Sequence, residues 1–265
     1  MERVVIVFGA AGGLGSEISR RFGTTGAKVV VSDLPKAENA IGKLYEEINK
    51  GPGQSLAYPA DVRNYEELKG MVAETVRKWG RIDVVVNAVG GPLSMLKFHE
   101  QLPGTSTDRA SPTKKDNKLL VDHSEEEWDL VVDVNLKGSF NCIRAVAPQM
   151  IKQRDGHIIL VASGTGIRPG KLMSSYAAAK AGIFGLMKAA ARELGEYNIK
   201  VNAVNPGQII HELLPLSEIT QEGYINETML GRRSNPQDFA DFVVYLSQKN
   251  NISGQIFNLD SRVLF

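Results

Sequence analysis

The sequence predicts a doubly wound α/β fold, a seven-stranded parallel sheet with helices on both faces. Three observations carry this expectation. Short Val/Ile-rich runs alternate with longer amphipathic stretches from one end of the chain to the other. The runs lack polar alternation, as strands do when helices cover both of their faces. A glycine-dense turn, Gly9-Ala10-Ala11-Gly12-Gly13-Leu14-Gly15, joins the first run to the first helical stretch.

Taken in order, strands are expected at 4–8, 28–32, 54–58, 83–87, 157–161, 200–204 and 255–259. Helices are expected at 15–24, 35–49, 64–79, 125–153, 174–197 and 235–247. Right-handed crossovers place the turn after every strand on one edge of the sheet, where such folds bind ligands.

Composition narrows the function classes. The 265 residues carry 31 Lys+Arg against 30 Asp+Glu, a net charge of +1, which removes the basic footprint of a nucleic-acid binder. The apolar run Val4–Phe8 is far too short to span a membrane and no signal-peptide cleavage pattern follows it. The one cysteine, Cys142, allows neither an intrachain disulfide nor a cysteine-rich zinc site. A reducing, cytoplasmic setting is therefore expected. His99, His123, His157 and His211 show no i,i+4 pair, so no metal site is expected. No repeat or linker divides the chain, so residues 1–265 are expected to form one domain.

The glycine turn can approach a pyrophosphate closely, with the phosphate charge at a helix N-terminus. The second strand ends at Asp33, 18 residues after Gly15, close to the spacing of an acid that bonds the adenosine ribose. A carboxylate there repels a 2′-phosphate, and Gly12 and Leu34 add no cation, so NAD is expected rather than NADP. The alternative is a helix-capping Asp ahead of Pro35. Asp61 after the third strand and Asn87-Ala88-Val89-Gly90 after the fourth add polar groups along the same edge.

Tyr176 and Lys180 stand at i and i+4, neighbours on one helix face. A nearby cation favours a phenolate, which would make Tyr176 an acid–base near neutral pH. Tyr65 and Lys69 repeat the spacing but follow no polar strand end, and read as a solvated helix face. Ser163, 13 residues before Tyr176 at the end of the fifth strand, can converge with it on one substrate oxygen.

With these elements in this order, and with Val134-Asn135-Leu136-Lys137-Gly138 and Asn205-Pro206-Gly207 beside them, the chain resembles the short-chain dehydrogenase/reductase family along essentially its whole length. The resemblance implies that Tyr176 exchanges the proton, Ser163 holds the substrate oxygen, Lys180 lowers the Tyr176 pKa and binds the nicotinamide ribose, and Asn135 positions a water. It also implies cofactor contacts from Gly9, Gly13, Leu14, Gly15, Asp33, Asp61, Val62, Asn87, Gly90, Tyr176, Lys180, Pro206, Gly207 and Ile209. A homotetramer or homodimer is implied, packed through 125–153 and 174–197, where Ala177–Ala181, Gly182 and Gly185 permit close approach.

Four positions depart from the family pattern. Phe8 stands where Thr is usual, Ala88-Val89 where Asn-Ala is usual, His211 where a Thr often meets the carboxamide, and Asp260-Ser261-Arg262 where glycines often follow the Asp. The stretch 91–124 is about 20 residues longer than the family norm, as either a substrate lid or a solvated insertion. Arg109, Lys114, Lys115 and Lys118 within it, and Arg168 and Lys171 beyond it, are available to an anion or are ordinary loop charges.

The leading expectation is NAD-dependent oxidation of a secondary alcohol to a ketone. The competing enzyme reading is a 3-oxoacyl-thioester reductase, which usually takes NADPH through a basic residue in the first glycine loop, absent here. A dinucleotide-binding sensor without chemistry is the competitor from another class, disfavoured because all four catalytic positions are present.

Overall fold

The computed structural model describes residues 2–93, 95–96, 118–209 and 226–262. Seven parallel strands form one sheet: β1 (Val4–Phe8), β2 (Lys28–Ser32), β3 (Gln54–Ala57), β4 (Val84–Asn87), β5 (Gly156–Val161), β6 (Ile199–Asn205) and β7 (Ile256–Asn258). Their spatial order is β3-β2-β1-β4-β5-β6-β7. The order reverses between β1 and β4, which opens the crevice at the carboxyl ends of those two strands. The fold class predicted from sequence is the one observed.

Side-chain alternation along the strands splits the core in two. Ile6, Phe8, Val30, Val85, Ile158 and Leu160 face one way, against Leu68 and Met71 of α3 (Tyr65–Trp79), Val146 and Met150 of α5 (Gly138–Gln153), and Ile183 and Met187 of α6 (Ser174–Leu194). Val5, Val7, Val29, Val31, Val84 and Val86 face the other way. They meet Ile18 and Phe22 of α1 (Gly13–Thr24), Ile41 and Leu44 of α2 (Glu38–Lys50), and Phe239 and Val243 of α7 (Pro236–Ser247). Strands buried on both faces explain the unbroken Val/Ile runs. Truncating Phe22, wholly inside, would cost about 3–5 kcal/mol.

Local chemistry sets the helix ends. Asn64 and Asn235 accept backbone N–H groups of the turns they cap, and Ser124 and Glu127 form a reciprocal capping box at α4 (Glu125–Val132). The single helix expected over 125–153 is interrupted: Asp133–Lys137 form a π turn between α4 and α5. A period-3.6 reading has no signal for one extra residue in a turn, and such turns cluster at functional sites. Pro35–Ala37 form a separate 3-10 turn ahead of α2.

Gly182 serves the chain itself, since a methyl there would press on Leu136 Cδ2 at 2.8 Å. Gly185 has open space beside it. The 97–117 part of the expected insertion, with Arg109, Lys114 and Lys115, lies outside the described residues, as do His99 and His211. Lys118 pairs with Glu127 at 2.7 Å, which ties the end of that stretch to α4.

Candidate active site

The crevice is built first from glycine. Gly9 sits at φ +76°, and a Cβ on Gly15 would overlap the Gly9 carbonyl oxygen. The turn therefore closes only because both positions lack side chains. Gly12 caps α1 without any side-chain bond, and no acidic residue occupies the first turn. The positive end of α1 is thus left to an outside anion. Leu14 tucks against the core below.

Asp33 does more than end β2. Its Oδ2 accepts the Ala11 N–H at 2.9 Å and its Oδ1 accepts the Leu34 N–H at 2.8 Å, so it braces the glycine turn. Asp61 is also engaged, in a two-oxygen pair with Arg63 at 2.7–3.1 Å. Burial works to raise its pKa, and the hydrogen bonds and charge of Arg63 outweigh it and hold the carboxyl below its usual range. The charge of Lys36 acts in the same direction, which puts a cation near this end of the crevice, three residues after Asp33. Val62 is buried against Gly138, and its carbonyl accepts from Asn141 at 2.9 Å.

At the centre, the Asn87 amide donates to Ser139 Oγ (3.0 Å) and its oxygen accepts the Val89 N–H (3.1 Å). Gly90 adopts φ +139°, and a Cβ there would overlap Asn135 Oδ1 and stand 3.0 Å from Lys180 Nζ. Asn135 is fully buried in the π turn. Its side chain exchanges two hydrogen bonds with Gly91, at 3.0 and 3.1 Å, and donates to the Val131 carbonyl. Its own carbonyl accepts from Ser139 Oγ at 2.7 Å.

The Ser163 hydroxyl lies near enough to the Tyr176 phenol to lower its pKa, so strand end and helix start come together as their spacing predicts. Lys180 is 3% exposed and donates to the Val161 carbonyl at 3.1 Å, with its Nζ 5.6 Å from the Tyr176 ring centre. One expectation is reversed. Burial pushes the Tyr176 phenol above its usual pKa, and the counteracting influence is Ser163 rather than Lys180. Burial also brings Lys180 down to about 8. An i,i+4 spacing fixes which face two groups share, but not whether the ammonium points at the phenol or at a carbonyl.

Further along, Gly207 (φ +74°) passes 2.7 Å from the Leu259 carbonyl, measured to where its Cβ would be. Ile209 pairs with Ser234 in an isolated parallel bridge, and its carbonyl accepts from Arg233. Sequence reading missed Gly91, Ser139 and the Val161 carbonyl. Two act through the backbone, where residue type carries no signal; Ser139, four residues after Asn135, could have been found by helical spacing. The Tyr65/Lys69 pair lies on α3, with Lys69 bridging to exposed Glu66 and the Arg144 guanidinium 3.9 Å from the Tyr65 ring centre. Arg168 and Lys171 are exposed.

These residues fit a dinucleotide: a cradle that any Cβ would fill at one end, a carboxylate at the next strand, and a buried amine beside a phenol further on. A sheet edge so furnished defines a class, the nicotinamide-dinucleotide-dependent oxidoreductases of carbonyl and hydroxyl groups. The short chain dehydrogenase family model matches residues 3–215. The 3-oxoacyl-[acyl-carrier-protein] reductase of Thermotoga maritima is 36% identical over 263 residues, covering 97% of this chain and 96% of that one. A (2S)-[(R)-hydroxy(phenyl)methyl]succinyl-CoA dehydrogenase subunit of Thauera aromatica is 31% identical, covering 96% and 93%. Among solved structures, the 3-oxoacyl-[acyl-carrier protein] reductase of Brucella melitensis superposes with TM-score 0.83 at 29% identity, over 100% of this chain and 92% of that one. The chain belongs to the short-chain dehydrogenase/reductase family.

Proposed function

We propose that the protein interconverts a 3-oxoacyl and a 3-hydroxyacyl thioester with NAD(H). The convergence of Ser163, Tyr176 and Lys180 at the carboxyl ends of the strands carries the chemistry of this reading. The relatives supply its substrate class, because both curated names specify an acyl group on acyl-carrier protein or coenzyme A. They favour this reading over oxidation of a simple secondary alcohol, the leading expectation from sequence.

The nicotinamide supplies or accepts the hydride; the chain supplies position and a proton. Ser163 holds the substrate oxygen by a hydrogen bond, and Tyr176 passes its hydroxyl proton to that oxygen in the reductive direction. A phenol pushed upward by burial arrives protonated, which suits proton donation. Lys180, brought down to about 8, lies close enough to neutrality to re-supply that proton. Asn135 ties Gly91 to the π turn and so fixes the wall beside Lys180. Gly9, Gly13 and Gly15 take the pyrophosphate; Asp61, Val62, Asn87, Gly90, Pro206, Gly207 and Ile209 line the remaining cofactor path.

Asp33 supports NAD over NADP, because a 2′-phosphate would face its carboxylate. Exposed Trp128 and Phe140, on the two helical segments flanking the π turn, support assembly into a dimer or tetramer. Steady-state assays with acetoacetyl-CoA against NADH and NADPH, beside a panel of secondary alcohols with NAD⁺, test the proposal. Turnover of the thioester with NADH at least tenfold above the alcohols is expected. Turnover confined to simple alcohols would overturn the substrate class, and a strong NADPH preference would overturn the part given to Asp33.

A further inference from the structure

The loop that leaves β4 runs from Asn87 to Gly91 and passes Lys180 at Gly90, where a Cβ would stand 3.0 Å from Nζ. Gly90 sits at φ +139°, so the freedom of glycine leaves the shape of this loop to its neighbours. Buried amides hold it at both ends. Asn87 Oδ1 accepts the Val89 N–H at 3.1 Å, and Asn135 exchanges two hydrogen bonds with Gly91, at 3.0 and 3.1 Å.

Both braces meet on one hydroxyl. With its oxygen on Val89, the Asn87 amide turns its NH₂ the other way, and that group donates to Ser139 Oγ at 3.0 Å. The Ser139 hydroxyl in turn donates to the Asn135 carbonyl at 2.7 Å. Ser139 and Asn87 are 1% exposed and Asn135 is fully buried, so water does not stand in for a lost partner without the loop moving.

The π turn explains why a hydroxyl is used here. The Gly138 N–H reaches back five residues, to the Asp133 carbonyl, instead of four. The return to four-residue bonds in α5 passes over one carbonyl. A serine four residues on can bond back to the preceding turn, and Ser139 does so at Asn135. Asn135 has meanwhile placed its amide hydrogens on the carbonyls of Gly91 and Val131.

We propose that Ser139 is a positioning residue for the reaction: its hydroxyl locks the Asn87–Gly91 loop to the π turn and so holds the Gly90 main chain against the Lys180 ammonium. The proposal rests on the reading that Lys180 re-supplies the proton passed on by Tyr176. Ser139 acts through Asn87 and Asn135, not on the reacting atoms. Around Lys180, α6 presents the Tyr176 phenol, β5 the neutral Val161 carbonyl, and the loop glycine backbone. Burial is what brings the amine down to about 8, so a loosened loop that admits water lets it climb back towards 10.5.

Ser139→Ala and Ser139→Thr in the full-length protein test this, Thr keeping a hydroxyl that reaches the same carbonyl. The Lys180 Cε resonance, identified by its absence from Lys180→Met, reports the titration midpoint of the ammonium without turnover. That midpoint should rise by about 1 in Ser139→Ala and return to the wild-type value in Ser139→Thr. In Ser139→Ala kcat should fall about tenfold while KM for the carbonyl substrate stays within about twofold. An unmoved Lys180 midpoint in Ser139→Ala overturns the proposal whatever the melting temperature does, because a purely structural hydroxyl lowers stability alone. Should Ser139→Ala fail to fold, Ser139→Cys, of like size with a weak donor, is read in its place. A wild type that turns over simple alcohols and no thioester overturns the substrate class alone, since the resonance is read without substrate.

Discussion

The two edges of the sheet each bury an ionisable nitrogen, and they do so by opposite means. At the carboxyl edge Lys180 lies under glycines, beside Gly90 and a backbone carbonyl, with no carboxylate partner among the described residues. At the amino edge His157 lies among ion pairs, with Arg81–Asp83 and Lys200–Asp155 closing the space around it. Desolvation depresses both groups, to about 8 and about 4. Glycine clears room for a ligand and leaves the amine ready to change its proton; ion pairs hold the imidazole in one state. The same physical penalty thus furnishes a reactive site at one edge and a ring kept neutral at the other.

Tyr176→Phe is the strongest way to break this contrast. It should lower kcat about 10²–10⁴-fold and leave the melting temperature and cofactor binding nearly unchanged, read by steady-state assay and cofactor titration. Unimpaired turnover would remove Tyr176 from the reaction.

Lys180→Met should separate function from stability. Turnover falls about a hundredfold, while stability at pH 7 rises by up to about 3 kcal/mol, because a buried amine no longer has to hold a proton. Its unfolded pKa of 10.5 exceeds the folded value of about 8, so the penalty is complete below pH 8 and fades as pH climbs to 10.5. The gain seen in denaturant melts should shrink over that window.

His157→Gln addresses the other edge. The folded pKa of about 4 lies below 6.5, so wild type loses stability as pH falls from 6.5 towards 4, by about 3 kcal/mol for this group. The variant should lose correspondingly less across that window, with no change in turnover at pH 7. Equal acid sensitivity in both proteins would show that the imidazole titrates freely.

The smallest effect belongs to Lys69→Ala, on the helix that imitates the catalytic spacing. Lys69 is exposed and pairs with exposed Glu66, so neither turnover nor melting temperature should move measurably.

Much of this was legible in the residues. Every strand appears within a residue or two of its expected bounds; inner strands such as β1, β4 and β5, covered on both faces, write themselves as Val/Ile-rich runs, whereas the edge strands β3 and β7 are only partly buried and carry no such run. The glycine turn, Asp33, Ser163 and Tyr176 lie along one edge of the sheet because strand ends and helix starts in this topology must share it. What escaped was direction. The π turn that seats Asn135 adds a residue without changing the composition of the helix, and the Lys180 ammonium turned to the Val161 carbonyl, a group every residue possesses. The partner of Asp61 was near in sequence, two residues on, yet an Arg63 that folds back looks like any surface charge.

The π turn at Asp133–Lys137 has a geometric meaning beyond the crevice. A regular helix advances 100° per residue, so one inserted position shifts the phase of everything after it. Before the turn, α4 packs on α6; after it, α5 packs on α3 and the sheet while keeping contact with α6. Two apolar stripes that would fall out of step along a single straight helix both reach the core, the second of them turned to α3 and the sheet. Deleting one residue between 133 and 137 would therefore give a more regular helix and a protein whose α5 presents Cys142 and Val146 to the wrong side.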